Sequence, residues 1–481
     1  MDGWCLGIYD AGAPTSMNIQ EGTRGIADGA FYSLHEFADT LSIPNSLLYI
    51  GNNAFENCGF TGPLVIPNSV VSIGDRAFYS CDDFSGEFFF GNSVASIGEW
   101  AFAYCTGVNG SLTIPKTTIS IGESPFFGCD GIERVVVDRE NPKYDSRNDC
   151  NAIIETATNT LISGCKNTVI PNSVYTIGKY AFAKCHGLTG PLTIPNSVVT
   201  IEDWAFVGCS GLTGSLIIPH SVVTIGDEAF YYCEGLTGVL VISSSVEFIG
   251  EEAFGACSFD TVVSLNDEPP FFYEDYPPFY YYINLIVSCG SKESYEASSW
   301  VYICNTIEED CTLYNVIIDD VNMSGGNVTA SVNSANFGEE VRLTIAPNEG
   351  MMLASLIVSN VNDPSQTVTV YPIGNGTSAY GFTMPPFDVL VKAMFVVNNA
   401  VGEGNNIAVS AYPNLTNGQV KIEAEGFKYI SISNTLGQVI YEGKVEDDVF
   451  EYDFSGQKAG IYLVRIETEH GVAVKKVSVT R

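Results

Sequence analysis

Cysteine is the residue type that could support the widest range of chemistry in this sequence of 481 residues, which contains 14 cysteines. Most of them stand three positions after a phenylalanine, in a phrase that recurs about every 24 residues. They are Cys58, Cys81, Cys105, Cys129, Cys185, Cys209, Cys233 and Cys257. An active site needs one nucleophilic thiol, and single thiols stacked in a column do not make the tetrahedral ligand set of zinc. Leu34 fills the same slot in the first copy, so we predict buried, unreactive thiols, with metal binding as the alternative.

The other cysteines are candidates for disulfide bonds. Cys150 and Cys165 would face each other across a predicted hairpin, and Cys289 would staple a predicted terminal helix by pairing with Cys304. Cys5 remains without a partner, as does Cys311, because the pairing of six cysteines is ambiguous from sequence alone.

Histidines and acids complete the search for reactive groups. The histidines, His35, His186, His220 and His470, lie far apart and lack the spacing of zinc ligands or of a serine triad. Acids recur at one repeat position, namely Asp75, Glu99, Glu123, Asp203, Asp227 and Glu251. Catalytic carboxylates sit in unlike environments that separate their pKa values, whereas a uniform column favours capping of short helical turns. A weak Ca²⁺-binding edge is the second interpretation. We therefore predict no enzyme activity, no metal and no cofactor.

Composition excludes several classes of partner. The net charge is −35, from 21 basic and 56 acidic residues, which disfavours nucleic acid and anionic membrane surfaces. No apolar run reaches the length of a membrane-spanning helix, so we expect no direct membrane insertion. The 47 glycines, 28 phenylalanines and 25 tyrosines are typical of a β-rich, turn-rich protein.

The elements that position these residues belong to the repeated phrase, of which IPNSVVTIEDWAFVGCSGLTGSL (Ile194 to Leu216) is one copy. We expect a short strand that ends at Pro195, a second extended piece from Val198 to Ile201, and a short helical turn that carries Phe206. One unit alone cannot bury its phenylalanine, but stacked units can, so the repeats predict a solenoid of parallel strands. The phrase resembles the BspA-like leucine-rich repeat of bacterial surface proteins.

That resemblance covers residues 19–311, after a lead-in at 1–18. A hairpin inserted at about 138–166 interrupts the period, and a cap at about 263–311, with a helix from about Lys292 to Ser299, closes the end. Residues 312–397 alternate apolar and polar positions and resemble a bacterial repeat related to internalin B-repeats. A linker is expected at 398–408.

Residues 409–481 resemble the C-terminal sorting domain of type IX secretion substrates. The motif residues that carry this resemblance include Tyr412, Pro413, Asn414, Gly437, Gly460, Tyr462, Lys475 and Lys476. The predicted fold class is therefore mainly β: a leucine-rich-repeat solenoid followed by two small all-β, sandwich-like domains. The resemblance implies handling by the type IX secretion machinery and a place outside the cell, or on the outer-membrane surface, of a Gram-negative bacterium. It also implies an export signal peptide preceding this sequence, since the first residues do not read as one.

Two sets of side chains are expected to face solvent and contact a partner. The first is the middle position of each L-x-I strand: Val65, Phe89, Thr113, Thr193, Ile217 and Val241. The second is the position before Ala-Phe, which holds Trp100, Tyr180 and Trp204. Aromatic residues of a proline-rich loop near the cap, such as Phe271 and Tyr280, either bind a partner or seal the solenoid.

The sequence thus predicts a surface-displayed adhesin that contacts host extracellular-matrix proteins or bacterial surface proteins. The alternative is a glycan- or nutrient-binding surface protein, in which Trp100 and Trp204 would serve as stacking platforms.

Overall fold

The structure of the protein is a computed structural model. It describes residues 3–5, 19–36, 39–319, 323, 325–364, 366–368, 370–373, 378–397, 409–412, 415–416, 419–424, 426–434, 439–445, 447–454, 457, 460–469 and 471–479. The chain divides into two compact units, Met1–Thr312 and Leu313–Arg481. The fold is mainly β, as predicted.

The first unit is a β-solenoid in which successive turns pair in parallel. One side is a ladder of very short strands: Trp4–Cys5, Gly25–Ile26, Tyr49–Ile50, Ser72–Ile73, Ser96–Ile97 and Ser120–Ile121. A second ladder contains Tyr144–Asp145, Ala152–Glu155, Thr160–Gly164, Thr176–Ile177, Thr200–Ile201, Thr224–Ile225 and Phe248–Ile249. The register is one turn per strand, so that Ile177, Ile201 and Ile225 are direct neighbours. Each isoleucine therefore enters the core beside its repeat equivalents.

The L-x-I strands form another side of the solenoid. They include the sheet of Gly86–Glu87, Val108–Ile114 and Ile132–Val137, and the sheet of Gly214–Ile217, Leu236–Ile242, Thr261–Ser264, Ile283–Ser288 and Cys304–Asp310. All their pairings are parallel. The alternation of buried and exposed residues along Val108–Ile114 follows from the two-residue period of a strand.

The Ala-Phe segments complete each turn, and the prediction of short helical turns was wrong here. In the turn around Phe206, three backbone N–H groups donate to the next turn: Trp204 to Asp227, Phe206 to Ala229 and Gly208 to Tyr231. This pattern requires a left-handed backbone at Trp204 and Gly208, with φ of 54° and 69°. Stacking therefore directs these hydrogen bonds between turns, where a helix would keep them within one segment.

The recurring acids consequently cap no helices, which corrects that expectation. The aspartate carboxylates instead accept the backbone N–H of the equivalent residue in the next turn. Asp75 accepts from Glu99 at 2.8 Å, Asp203 from Asp227 at 3.0 Å, and Asp227 from Glu251 at 2.9 Å. These bonds tie neighbouring turns together at a corner of the solenoid.

Phenylalanine rings form the centre of the core. Phe182, Phe206, Phe230 and Phe254 stack nearly parallel, with centroid separations of 4.9, 5.0 and 5.4 Å. All four are almost completely buried. Burying each ring contributes about 1.5–3 kcal/mol of hydrophobic stabilisation, so the column holds the repeats in register.

The inserted hairpin lies between two clusters of the hydrophobic core. The hairpin strands Ala152–Glu155 and Thr160–Gly164 pair antiparallel, and Thr160–Gly164 then pairs in parallel with the next repeat. A Cβ atom at Gly164 would lie 2.1 Å from the ring of Phe182, so glycine allows this close approach. Cys150 packs in the cluster after the hairpin and Cys165 in the cluster before it. Both are free thiols, so the predicted disulfide between them is wrong.

The cap covers the end of the solenoid with a short α-helix, Lys292–Glu296, and a 3₁₀ turn, Ser299–Tyr302. Trp300 is buried and its indole N–H donates to the main-chain oxygen of Pro270 at 2.8 Å. The phenol of Tyr295, also buried, lies 2.6 Å from the hydroxyl of Ser264. These two rings replace the next repeat as the cover of the core.

The disulfide of the cap joins Cys289 to Cys311, not to Cys304, which corrects the predicted pairing. Strands Ile283–Ser288 and Cys304–Asp310 pair in parallel, with Ser288 opposite Asp310. Cys289 and Cys311 therefore follow the same ends of neighbouring strands, with Cα atoms 4.8 Å apart. Cys304 begins its strand opposite Ile283, at the other end, and is a free thiol.

The second unit contains two separate hydrophobic cores, each between two β-sheets. In the first core, one sheet contains, in spatial order, Ser334–Asn336, Leu313–Ile318, Val389–Val397, Met351–Asn360 and Thr367–Val368. The facing sheet contains Gly326–Ala330, Glu340–Pro347, Ala379–Thr383 and Tyr371–Pro372. In the second core, one sheet contains Val409–Tyr412, Gln419–Ala424 and Val449–Asp453. The other contains Leu415–Thr416, Gly471–Val479, Gly460–Thr468, Phe427–Asn434 and Val439–Lys444. The predicted linker at 398–408 lies outside the described residues.

Candidate functional site

The predicted strand stripe faces solvent over most of its length. Exposure reaches 44% at Val65, 50% at Phe89 and 60% at Ile217, and the threonines Thr113 and Thr193 are exposed as well. These side chains occupy the middle of L-x-I strands, whose outer residues point into the core. We call Val65, Phe89, Thr113, Thr193 and Ile217 the strand stripe.

Val241 was expected in this stripe but is buried, with 6% exposure. It pairs in register with Ile217 on one side and with Val263 on the other. Val263 is itself 4% exposed. The exposed stripe therefore ends at Ile217, which is still 60% exposed beside Val241.

A second feature lies on the Ala-Phe side, where aromatic rings of successive turns contact one another. We call it the aromatic ridge, and it consists of Tyr79, Trp100, Tyr104, Phe127, Tyr180 and Trp204. Trp100 lies 4.9 Å from Phe127 and 5.3 Å from Tyr180, measured between ring centroids. Tyr180 and Trp204 stack at 4.9 Å with an interplanar angle of 6°. The rings thus form one continuous line across several turns.

The inserted hairpin does not interrupt this line of rings. Trp100 and Tyr180 are far apart in sequence, yet their rings touch because the hairpin leaves the main turns stacked on the Ala-Phe side. Phe127 contacts both rings and lies 8% exposed beneath them. The structure therefore brings together Trp100, Tyr180 and Trp204, the residues predicted before Ala-Phe.

Two aspects of the ridge differ from the sequence-based expectation. Trp100, Tyr180 and Trp204 were expected to face solvent but are half-buried, because each ring packs against a neighbour. Sequence reasoning also missed Tyr79, Tyr104 and Phe127. The signal was present, since aromatic residues recur one or two positions after the core phenylalanine.

Lys179 lies in a small cage at one end of the ridge. Its Nζ atom is 4.8 Å from the ring centroid of Trp204 and 5.7 Å from that of Tyr180. The same nitrogen lies 3.6 Å from a carboxylate oxygen of Glu123. Ring faces and a carboxylate therefore hold an ammonium group together, since the negative face of an aromatic ring attracts cations. At the other end, the guanidinium of Arg76 lies 5.4 Å from the ring of Tyr79.

Carboxylates accompany the ridge along its length. The indole N–H of Trp100 donates to Glu99 at 3.0 Å. Burial raises the pKa of the Tyr180 phenol, and the negative charges of Glu123, Glu228 and Asp203 raise it further. The pKa of Glu228 is raised by burial, against a hydrogen bond with Trp204 that lowers it. The surroundings of the rings are therefore acidic, with Lys179 as a local counter-charge.

Aromatic residues of the proline-rich loop near the cap divide into two groups. Phe272 and Phe279 are buried and pack against Trp300, so they seal the core. The exposed members are Phe271, Tyr273, Tyr276 and Tyr280. Tyr280 donates to Glu252 at 2.9 Å and lies 2.5 Å from the hydroxyl of Tyr231.

The geometry of other reactive groups offers no assembled centre within the described part of the chain. There, no group of three or more His, Cys, Asp or Glu residues is placed to hold a metal ion. His186 Nδ1 contacts the hydroxyl of Ser210 at 3.0 Å. In the same described residues, no helix is long and apolar enough to cross a membrane.

The predicted sorting residues are only partly described. Tyr462 is buried in the second core of the second unit, and Lys475 is exposed on a neighbouring strand. Tyr412, Gly460 and Lys476 lie in the strands Val409–Tyr412, Gly460–Thr468 and Gly471–Val479. Pro413, Asn414 and Gly437 lie outside the described residues.

Comparisons with known families agree with this architecture. Residues 9–133 and 159–268 match the BspA type leucine rich repeat region, in six copies. Residues 410–480 match the secretion system C-terminal sorting domain. A search among curated proteins found no match.

Several solved bacterial proteins are similar in fold. The pneumococcal vaccine antigen PcpA is 18% identical, with 61% of this chain and 78% of that protein aligned at a TM-score of 0.45. A leucine rich cell surface protein of Faecalibacterium prausnitzii is 23% identical, with 59% and 80% covered and a TM-score of 0.38. A leucine-rich repeat protein of Eubacterium ventriosum is 18% identical, with 64% and 87% covered and a TM-score of 0.37.

Proposed function

This chain is a BspA-type leucine-rich repeat protein with a secretion-system C-terminal sorting domain, and we propose that it is a non-catalytic adhesin displayed at the surface of a Gram-negative cell. Its partners are host extracellular-matrix proteins or surface proteins of other bacteria. The type IX secretion machinery handles the sorting domain and delivers the solenoid to the cell exterior.

The aromatic ridge is the observation that carries this proposal. Tyrosine and tryptophan are the residues most enriched at energetically important positions of protein interfaces. Here Trp100, Tyr180 and Trp204 are held by mutual ring contacts on a rigid stack of turns. Because these rings are already ordered, a partner loses little side-chain entropy when it contacts them.

The test measures binding of the full chain to immobilised fibronectin, to fibrinogen and to intact bacterial cells. Tyr104→Ser removes a ridge ring, and Phe89→Ser removes a ring of similar size from the strand stripe. We expect saturable binding that Tyr104→Ser weakens about tenfold, the loss typical of an interface anchor. Absence of saturable binding to all three surfaces would refute the adhesin. If only Phe89→Ser reduces binding, the partner contacts the strand stripe and not the aromatic ridge.

One observation favours glycan binding as the second candidate function. The parallel rings of Tyr180 and Trp204 lie beside the carboxylates of Glu123 and Asp203. Sugar recognition combines ring faces, which cover apolar sugar faces, with carboxylates that accept hydrogen bonds from hydroxyl groups. A glycan array decides between the two: retention of a defined glycan, lost in Trp204→Ala, supports this candidate over the adhesin.

Cell-surface placement has its own test. Protease added to intact cells should remove the solenoid while periplasmic proteins survive. Protection of the solenoid until the outer membrane is permeabilised would contradict surface display.

A further inference from the structure

The aromatic ridge carries information about the chemistry of its partner, because the protein already places two of its own cations on it. Lys179 lies over Trp204 and Tyr180, and Arg76 lies over Tyr79. Both cations sit at ends of the ridge. Among the described residues, no lysine or arginine lies over the central rings of Trp100 and Tyr104.

Two acidic residues, Glu99 and Glu123, flank Trp100, whereas Lys184 and Tyr104 both approach Gly128. Glu99 is exposed and binds the indole of Trp100 through one carboxylate oxygen, at 3.0 Å. Glu123 is also exposed, and its carboxylate is 3.6 Å from Lys179. The whole chain carries a net charge of −35, so long-range attraction also favours a basic partner.

We propose that the central part of the aromatic ridge binds a lysine- or arginine-rich segment of a partner protein, with a cationic side chain over Trp100 beside Glu99. The partner's cation would repeat the arrangement that Lys179 makes with Trp204, Tyr180 and Glu123. The inference rests on the proposed function, since it names the partner chemistry of the same surface. Charge complementarity of this kind sets partner choice and association rate.

The opposite interpretation is that the ridge only packs the solenoid side. Packing alone explains the ring contacts and the hydrogen bond from the indole of Trp100 to Glu99. It also predicts that Lys179 stabilises the ridge, so that its removal brings no gain. The two interpretations therefore differ in the sign of the effect expected at Lys179.

The experiment titrates the full chain with a lysine-rich synthetic peptide and with the same peptide acetylated on its lysines. Tryptophan fluorescence and calorimetry report binding. We expect binding of the first peptide only, weakened by salt because exposed charges are screened. Glu99→Gln should weaken it about two- to fivefold, the range of an exposed cation contact. Glu87→Gln is the matched control, since Glu87 is equally charged and exposed but lies on the L-x-I side.

Lys179→Met is expected to increase peptide affinity, a result that misfolding of the variant would not produce. It removes a like charge and frees the rings of Trp204 and Tyr180, so peptide affinity should rise. Equal binding of the acetylated peptide, equal effects of Glu99→Gln and Glu87→Gln, or no gain with Lys179→Met would each overturn the inference. If the chain binds immobilised surface proteins saturably and none of the three substitutions changes that binding, the adhesin proposal is supported and the inference of a basic partner segment is refuted.

Discussion

Cys209 donates its thiol proton to the main-chain oxygen of Phe182, 2.9 Å away and 27 residues earlier in the chain. The same bond joins other turns, from Cys58 to Phe31, Cys81 to Phe55, Cys105 to Phe78, Cys129 to Phe102, Cys233 to Phe206 and Cys257 to Phe230. The recurring cysteine therefore does more than fill space. It gives a second donor to a carbonyl that also accepts the backbone N–H of Cys185 at 3.0 Å, and a small apolar residue would remove that donor.

Replacing Cys209 by alanine should lower the free energy of unfolding by about 1–3 kcal/mol, from lost packing and a weakened acceptor site. Cys185→Ala is the matched control. Cys185 occupies the same slot after the hairpin, and within the described chain its thiol has no phenylalanine oxygen as acceptor. Local stability is read from amide hydrogen exchange of the flanking turns. Equal losses for the two substitutions would show that the thiol bond contributes nothing.

Buried thiols also predict alkaline sensitivity. Burial raises the pKa of Cys58, Cys129, Cys185 and Cys257 to about 12, from an ordinary value of 9.0. The folded state keeps these protons where the unfolded chain has lost them, so their stabilisation is complete below pH 9 and disappears as pH rises from about 9 to 12. Each thiol contributes a slope of about 1.4 kcal/mol per pH unit in that window.

Thermal unfolding followed from neutral to strongly alkaline pH measures this slope. The Cys257→Ala variant should show a shallower decline than the native chain, by the contribution of one thiol. Tyrosines titrate in the same range in both proteins and therefore cancel in the comparison. Identical pH profiles for the two chains would contradict the assignment.

The periodic features of the fold were predictable from sequence. Phe206 and Cys209 recur at fixed spacing, and such a column in a repeat must stack, so their burial followed directly. The resemblances to the BspA-like repeat and to the C-terminal sorting domain are confirmed, as is the mainly β class. The outward middle residues, such as Phe89 and Ile217, followed from strand alternation.

Features that depend on where the chain departs from its period were not predictable. The contact of Trp100 with Tyr180 depends on how the hairpin fits between two turns, and no local pattern encodes that. The partner of Cys289 depends on the register of two late strands, which placed Cys311 beside it. The left-handed backbone at Trp204 could not be predicted from the sequence, because a left-handed position is usually recognised by a glycine and this one holds a tryptophan.

The left-handed positions themselves predict a substitution rule. Ser80 has φ of 53°, and its N–H donates to Ala103 of the next turn. Asn and Gly tolerate this conformation, whereas a β-branched residue does not. Ser80→Val should therefore cost about 1–3 kcal/mol more than Ser80→Asn, measured by chemical denaturation. A smaller loss for valine than for asparagine would show that the turn adopts another backbone conformation.

The last prediction concerns the cap. The Cys289–Cys311 disulfide closes a loop of sequence separation 22 that includes the cap helix Lys292–Glu296. Cys311→Ser should lower cap stability by about 2–4 kcal/mol, because the unfolded loop regains conformational freedom. Cys304→Ser is the control, since Cys304 is a free thiol on the same strand and should leave the disulfide intact. Peptide mapping without reduction should recover the Cys289–Cys311 link in the native chain and in Cys304→Ser, and proteolysis at the cap should increase only in Cys311→Ser. Recovery of a Cys289–Cys304 link from the native chain would refute this pairing.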